Sequence, residues 1–319
     1  MKNVLFATSA LVAMAGTAYA DSHAGIELTG SARLGLMYVE GRAGTDGSDQ
    51  ELIGTSRVRL GATASGTSDS GLTFGASARF DHDPDDLGGW APTGGPDTAV
   101  YCDSGACNGG VSTSGSVFVS GNFGTLSYQD VDDAVENRVS HVDGVGLTGL
   151  GDFNEITRSA VVGSIIRYDY DAGAFGLSVS SNGGLETFQV GVGYSGDFGG
   201  TSINFGIGYD DAEEVVPGAG DHIAASLGFG FGDISVKTAY ATNDLFDDMA
   251  VSVGYTTGAL GLTAFYHQFS LDAGGDIDAI GLGASYDLGG GLSVVGGVVN
   301  VDTGIGDATT ADFGLNMSF

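Results

Sequence analysis

After residue 20 the chain holds no uninterrupted apolar run of about 18 residues, so no helix of it can cross a bilayer. Its apolar side chains instead recur with a period of two, which places them on one face of a strand. In the first such segment Ile26, Leu28, Ala32, Leu34, Leu36 and Tyr38 share one parity, and Glu27, Thr29, Ser31 and Arg33 take the other. In the last, Phe313, Leu315, Met317 and Phe319 alternate with Asp312, Gly314, Asn316 and Ser318. Between them the pattern returns in Leu72, Phe74, Ala76, Ala78 and Phe80, in Ile203, Phe205, Ile207 and Tyr209, and in Leu282, Ala284 and Tyr286. About sixteen segments can be counted, starting near residues 26, 55, 72, 115, 124, 164, 175, 185, 200, 222, 233, 248, 260, 277, 291 and 309.

The connections alternate in length. Short ones lie at 67–70, 122–124, 171–174, 197–200, 231–233 and 258–261; long ones lie at roughly 40–54, 81–114, 130–163 and 211–221. Pro84, Pro92, Pro96 and Pro217, the only prolines, all fall in long connections, where no ladder hydrogen bond is lost.

The first 20 residues read as an export leader: Met1-Lys2-Asn3 is a positive start, residues 4–14 are an apolar run, and Ala18-Tyr19-Ala20 supplies small residues before a cut. The domain proper is then 21–319. Removing Lys2 with the leader leaves nine Lys+Arg against 40 Asp+Glu, a balance of −31. Such a surface repels phosphate, which excludes nucleic acid as a partner. The 17 Phe and 12 Tyr exclude a disordered acidic chain. In an oxidising compartment Cys102 and Cys107, five positions apart, are expected to close a small loop disulfide rather than to hold zinc.

A soluble sandwich would also alternate, but its polar face would carry charge of both signs, with lysine blunting the edge strands. The exported chain has one lysine, Lys237. Short turns at one end, long loops at the other and a closing aromatic residue suit an all-β fold: a 16-stranded antiparallel transmembrane β-barrel whose apolar face meets lipid. Residues 291–301 depart from the rule. Val294 and Val298 are opposed by Val295, Val299 and Val301, as in a strand buried on both faces at a subunit contact.

Several stretches resemble the sixteen-stranded trimeric porins of purple photosynthetic bacteria and related alphaproteobacteria: SARLGLMY at 31–38, SGTSDSGL at 65–72 leading into FGAS at 74–77, YDAGAF at 170–175 and, most specifically, GLGASYDLGGG at 281–291. The terminal Phe319 is similar to the assembly signal of such barrels. The resemblance implies a homotrimer in the outer membrane of a Gram-negative bacterium, in contact with lipid and lipopolysaccharide. It also implies a water-filled diffusion channel for ions and small hydrophilic solutes, no required cofactor, and a third long loop folded inward.

All eight arginines precede residue 168. Arg33, Arg57, Arg59, Arg79 and Arg167 alternate with apolar neighbours and should point inward, since a lipid-facing arginine at the midplane would cost roughly 2–4 kcal/mol. The connection 130–163 carries Asp130, Asp132, Asp133, Glu136, Asp143, Asp152 and Glu155. If it enters the bore, carboxylates face the arginines, and a transverse field would orient solutes at the narrowest point. By the resemblance, Arg33, Arg57, Arg59 and Arg79 align with the basic side of the family's constriction and the loop acids with its opposing cluster; Arg167 rests on parity alone. The alternative is that these arginines pair with neighbouring acids inside a filled barrel.

Weaker patterns remain. Asp81, Asp83 and Asp85 form a candidate structural calcium site, although Asp86 and Pro92 replace the turn glycine and last glutamate of a helix-loop-helix site, and an ordinary solvated loop is the alternative. Residues 144–149 and 191–196 match a dinucleotide glycine pattern, but neither opens a helix after a strand. His267 shares the parity of Phe265 and Phe269, which places it in an aromatic belt at the membrane interface. The rival functions are a solute-specific channel, a barrel hydrolase, for which no nucleophile motif is present, and a secreted calcium-stabilised β-sandwich.

Overall fold

A computed structural model of the chain describes residues 24–42, 51–83, 110–161, 163–211, 213 and 216–319. β1 (Ala24–Val39), β2 (Leu52–Thr67), β3 (Thr73–Asp83), β4 (Gly110–Gly121) and β5 (Gly124–Gln129) come first. A short helix α1 (Ala134–Arg138) precedes β6 (Ile165–Ala172). Then follow β7 (Phe175–Asn182), β8 (Gln189–Phe198), β9 (Thr201–Asp211), β10 (Asp221–Phe231) and β11 (Ile234–Thr242). β12 (Phe246–Thr257), β13 (Leu260–Leu271), β14 (Asp276–Gly289), β15 (Leu292–Asp302) and β16 (Asp307–Ser318) complete the order.

Each strand pairs antiparallel with its sequence neighbours, and β16 returns to β1 in a register that sets Arg33 opposite Asn316 and Leu36 opposite Phe313. The result is a closed barrel of sixteen strands, which leaves no unpaired sheet edge. Two strands start away from their expected positions. β4 begins at Gly110 rather than near 115, and β8 at Gln189 rather than near 185. The second shift has a local cause: Leu185 takes a positive φ of 57° in a turn where its N–H, and that of Glu186, bond back to Asn182. An apolar residue there belongs to the turn. The short turns rely on glycine where φ is positive, as at Gly232 and Gly258, both near +58°.

Period-two alternation becomes two chemically distinct surfaces. Leu34, Leu36, Leu282, Phe313 and their counterparts on every side of the ring are exposed on the outside. The opposite parity is turned inward, and Arg33, Asp210, Asp248 and Asp312 on it are buried. β15 corrects one expectation. Val299 and Val301 are buried because the loop between β5 and β6 covers them from within, and they join a cluster with Val135, Val145 and Leu150. The second apolar face is an internal one, with no need of a neighbouring subunit.

Candidate functional site

The segment from Asp130 to Ser164 leaves the wall after β5 and crosses the inner surface of the barrel. Asp133 starts α1 by accepting the N–H groups of Val135 (2.8 Å) and Glu136 (2.9 Å), while the Glu136 carboxylate reaches back to the Asp133 N–H. The chain then runs outward to Thr148, turns and comes back. Its backbone is held by side chains of successive strands. On the outward leg the N–H of Ala134 donates to Ser180 of β7, that of Ser140 to Ser226 of β10, and that of Asp143 to Ser252 of β12, at 2.8–3.0 Å. At the far point the N–H groups of Leu147 (2.8 Å) and Thr148 (2.6 Å) and the Thr148 hydroxyl (2.8 Å) donate to Asp312 of β16. On the return leg Thr157 donates to Asp248 (2.7 Å) and Ala160 to Asp210 (2.9 Å). Buried loop amides thus meet buried carboxylates, each satisfying the other.

Apolar packing completes the attachment. Val135, Val139, Val142, Val145, Leu150 and Ile156 form one cluster with Ala224, Ala239, Ala250, Ala279 and Val299 of the wall. Glycine lets the two surfaces approach: a Cβ on Gly208 would lie 2.5 Å from Val135 Cγ1, and one on Gly283 would lie 2.7 Å from Val145 Cβ. The loop therefore lines the wall from β6 round to β16, reaches Arg33, Gly35 and Met37 of β1, and leaves the side of β2–β4 uncovered.

The arginines stand at the edge of that uncovered side and on it. Arg33 stands opposite Arg57 in the β1–β2 ladder, and Arg59 opposite Asp81 in the β2–β3 ladder. Arg33 is 6 % exposed; its Nη2 lies 2.7 Å from Asp83 Oδ2, and its Nη1 donates to the Thr148 carbonyl at 3.4 Å. Arg57 approaches the same Asp83 oxygen only to 3.9 Å and keeps its side chain 28 % exposed. Arg59 Nε donates to Asp81 Oδ2 at 2.7 Å, and Arg79 is exposed on the same inward parity. Arg167 points inward but stands apart on β6, bound to Asp169 (2.9 Å) and to the carbonyl of Asp132. The expected strip thus comprises Arg33, Arg57, Arg59 and Arg79, and three of these pair with neighbouring acids, Arg57 only at 3.9 Å.

The acidic cluster divides. Asp130, Asp132, Asp152 and Glu155 are exposed on the loop. Asp133 is not available to solutes, since it is buried as the helix cap. Glu136 faces Arg158 at 3.7 Å, and Asp143 forms a 2.6 Å ion pair with Lys237 of β11. Loss of water contact, nearly complete at Asp133 and partial at Glu136 and Glu155, pushes these carboxyls up from the ordinary range, and burial, reinforced by Arg158 and His267, pushes His141 down to about 3.

Two placements differ from expectation. His267 lies inside the barrel, buried, with Nε2 donating to Asp248 Oδ1 at 2.5 Å; its strand turns Phe265 and Phe269 inward as well, so shared parity meant the loop-covered wall and not the membrane belt. Asp81 and Asp83 face arginines, so a calcium ion would have to displace guanidinium groups. Among the described residues no group of three or more His, Cys, Asp or Glu side chains is arranged to hold a metal. Asp85, Cys102, Cys107 and the leader lie outside the described residues. Sequence reasoning missed Asp210, Asp248 and Asp312, the carboxylates that hold the loop. Their signal was present: each is an acid on the inward parity of a strand whose other parity is apolar.

A closed barrel crossed by an inner loop has close relatives. The profile of the Gram-negative porin family matches residues 7–306. The chain belongs to that family. A porin of Rhodobacter capsulatus is 29 % identical to it over 92 % of this chain and the whole of the relative, and a porin of Fuscovulum blasticum is 26 % identical over the same shares. Among solved structures, a porin refined at 1.8 Å superposes with a TM-score of 0.66 at 27 % identity, covering 92 % of this chain and 100 % of that one. An engineered mutant of the Rh. blastica porin superposes at 0.69 over equal shares, with 24 % identity. This porin is a diffusion channel of the Gram-negative outer membrane, and the outward leucines and phenylalanines are the surface that meets lipid.

Proposed function

We propose that this porin is a general, passive channel that admits ions and small hydrophilic solutes, with residues 130–163 as its constriction and no cofactor or catalytic step. The observation that carries the reading is the division of the inner wall. The loop covers β6 to β16 and leaves Asp130, Asp132, Asp152 and Glu155 exposed, while Arg57, Arg59 and Arg79 remain on the uncovered side. Opposed charges at a narrowing set up a transverse field, which sorts solutes by dipole and charge while the gap sorts them by size. The same reading takes residues 1–20 as a cleaved leader, 21–319 as the barrel domain, the working form as a homotrimer set in lipid and lipopolysaccharide, and Phe319 as the assembly signal. It treats Cys102–Cys107 as a loop disulfide.

Reversal potentials across a salt gradient in planar bilayers test it. The balance of −31 and the acidic loop should give modest cation preference, which the arginines oppose at the narrowest point. Replacing Arg57 and Arg59 together with alanine should raise cation preference a few-fold while the assembled protein stays intact. Clear anion preference in the unaltered channel, or failure of the double variant to assemble with permeation unchanged in what survives, would refute these roles.

A further inference from the structure

Lys237 is the only lysine after the leader, and it lies inside the barrel. On β11 its parity is that of Ser235, Ala239 and Ala241, while Val236 and Tyr240 are exposed on the outside. In a ring of sixteen, β11 is eight strands from β3, so Lys237 stands on the wall opposite the arginines. Its Nζ lies 2.6 Å from Asp143 Oδ1, and the two side chains are 38 % and 34 % exposed. Each partner is anchored independently. The lysine stem runs over Gly228, where a Cβ would come within 3.6 Å of Lys237 Cγ, and Asp143 is fixed by its N–H bond to Ser252 at 3.0 Å. Together with Arg138, Ser195 and Asn204, Lys237 lines a cavity of about 370 Å³ that extends from the underside of the loop to the β6–β7 turn.

We propose that Lys237 is a specificity-determining residue: by neutralising Asp143 while remaining open to water, it sets the charge of the vestibule on the short-turn side of the loop, a second filter in series with the arginine wall. The proposal rests on the diffusion-channel reading. It competes with a plainer role, in which the pair only fastens the loop. The two roles differ in sign. If the pair fastens the loop, removing either partner loosens the same contact, and both variants shift conductance and selectivity in one direction. If it sets charge, the shifts are opposite, because each variant exposes the partner left behind.

The experiment is the reversal potential of the full mature porin in planar bilayers under a potassium chloride gradient. Lys237→Gln should move selectivity toward cations and Asp143→Asn toward anions, and the double variant should return toward the unaltered channel. All shifts should shrink near 1 M salt, where screening acts over about 3 Å. Shifts of one sign in both single variants, or no shift in either, overturn the proposal. Should Lys237→Gln not insert, Asp143→Asn decides alone, since it alters no strand: absence of an anion shift overturns the proposal. A silent unaltered channel would instead overturn the diffusion reading, a result distinct from conducting variants with unchanged selectivity.

Discussion

At His141 protonation and loop docking compete. Its Nδ1 accepts the Ile156 N–H at 3.2 Å, and although its Nε2 faces Glu155 at 3.3 Å, burial in the docked loop, reinforced by Arg158 and His267, keeps the imidazole neutral down to about pH 3. An undocked loop would take up a proton near the ordinary value of 6.5. The docked form therefore binds fewer protons, and its advantage declines as pH falls below 6.5 until it levels off near 3. At one unit below 6.5 the docking equilibrium should be about tenfold weaker through this group. Glu136 and Glu155, whose carboxyls are held high, act in the opposite sense as pH falls through their own range. The effect of His141 is therefore isolated by comparing the protein with a variant over the interval from pH 6.5 to 5. Open-channel noise should grow across that interval, and His141→Gln should flatten the dependence; an identical profile in the variant would dismiss the assignment. Little of this was legible in the sequence. Parity gave Arg33, Arg57, Arg59 and Arg79 their inward direction, because one arginine facing lipid would be prohibitive. It could not give their partners, since the Arg59–Asp81 contact depends on strand register and the Lys237–Asp143 contact on a loop that crosses the barrel.

The loop is the element in which pattern reading stops. Strand starts were legible to within about five residues because alternation is a local signal with a lipid-imposed meaning. The path of residues 130–163 has no such period. It is set by a row of wall acceptors and by glycines that remain smooth where α1 and residues 145–146 lie close. This accounts for the inward valines of β15, Val299 and Val301, and for His267, all of which face the loop-covered interior. Gly208→Ala tests the idea. Its Cβ would meet Val135 Cγ1 at 2.5 Å, so α1 must lift, at a cost of about 1–3 kcal/mol to docking. The expected readout is higher conductance and a larger solute exclusion limit, with the heat resistance of the detergent-purified barrel little changed. Unaltered permeation of graded polyethylene glycols would count against close packing at that point.

For the whole molecule, one rule separates outside from inside around the entire ring, and it makes an asymmetric prediction. Leu282 is 56 % exposed on the lipid side of β14. Arginine there should cost roughly 2–4 kcal/mol if the site lies near the bilayer midplane. Urea-driven unfolding from lipid vesicles should register the loss, and a negligible change would mean that this face does not meet acyl chains. The same rule gave the strand count and the closed form, whereas the division of the interior into a covered and an uncovered part follows from the path of the loop. One contact joins these two levels. Thr148 offers its N–H and hydroxyl to Asp312 on the last strand and its carbonyl to Arg33 on the first. A docking place that straddles the join between the two ends of the chain does not exist until those ends have met. Biogenesis therefore keeps one latch for last: the anchors on β7 to β12 can form on an open sheet, but the tip of the plug is gripped from both sides only once the cylinder has zipped shut, so a barrel caught ajar would hold its plug less completely than the finished one.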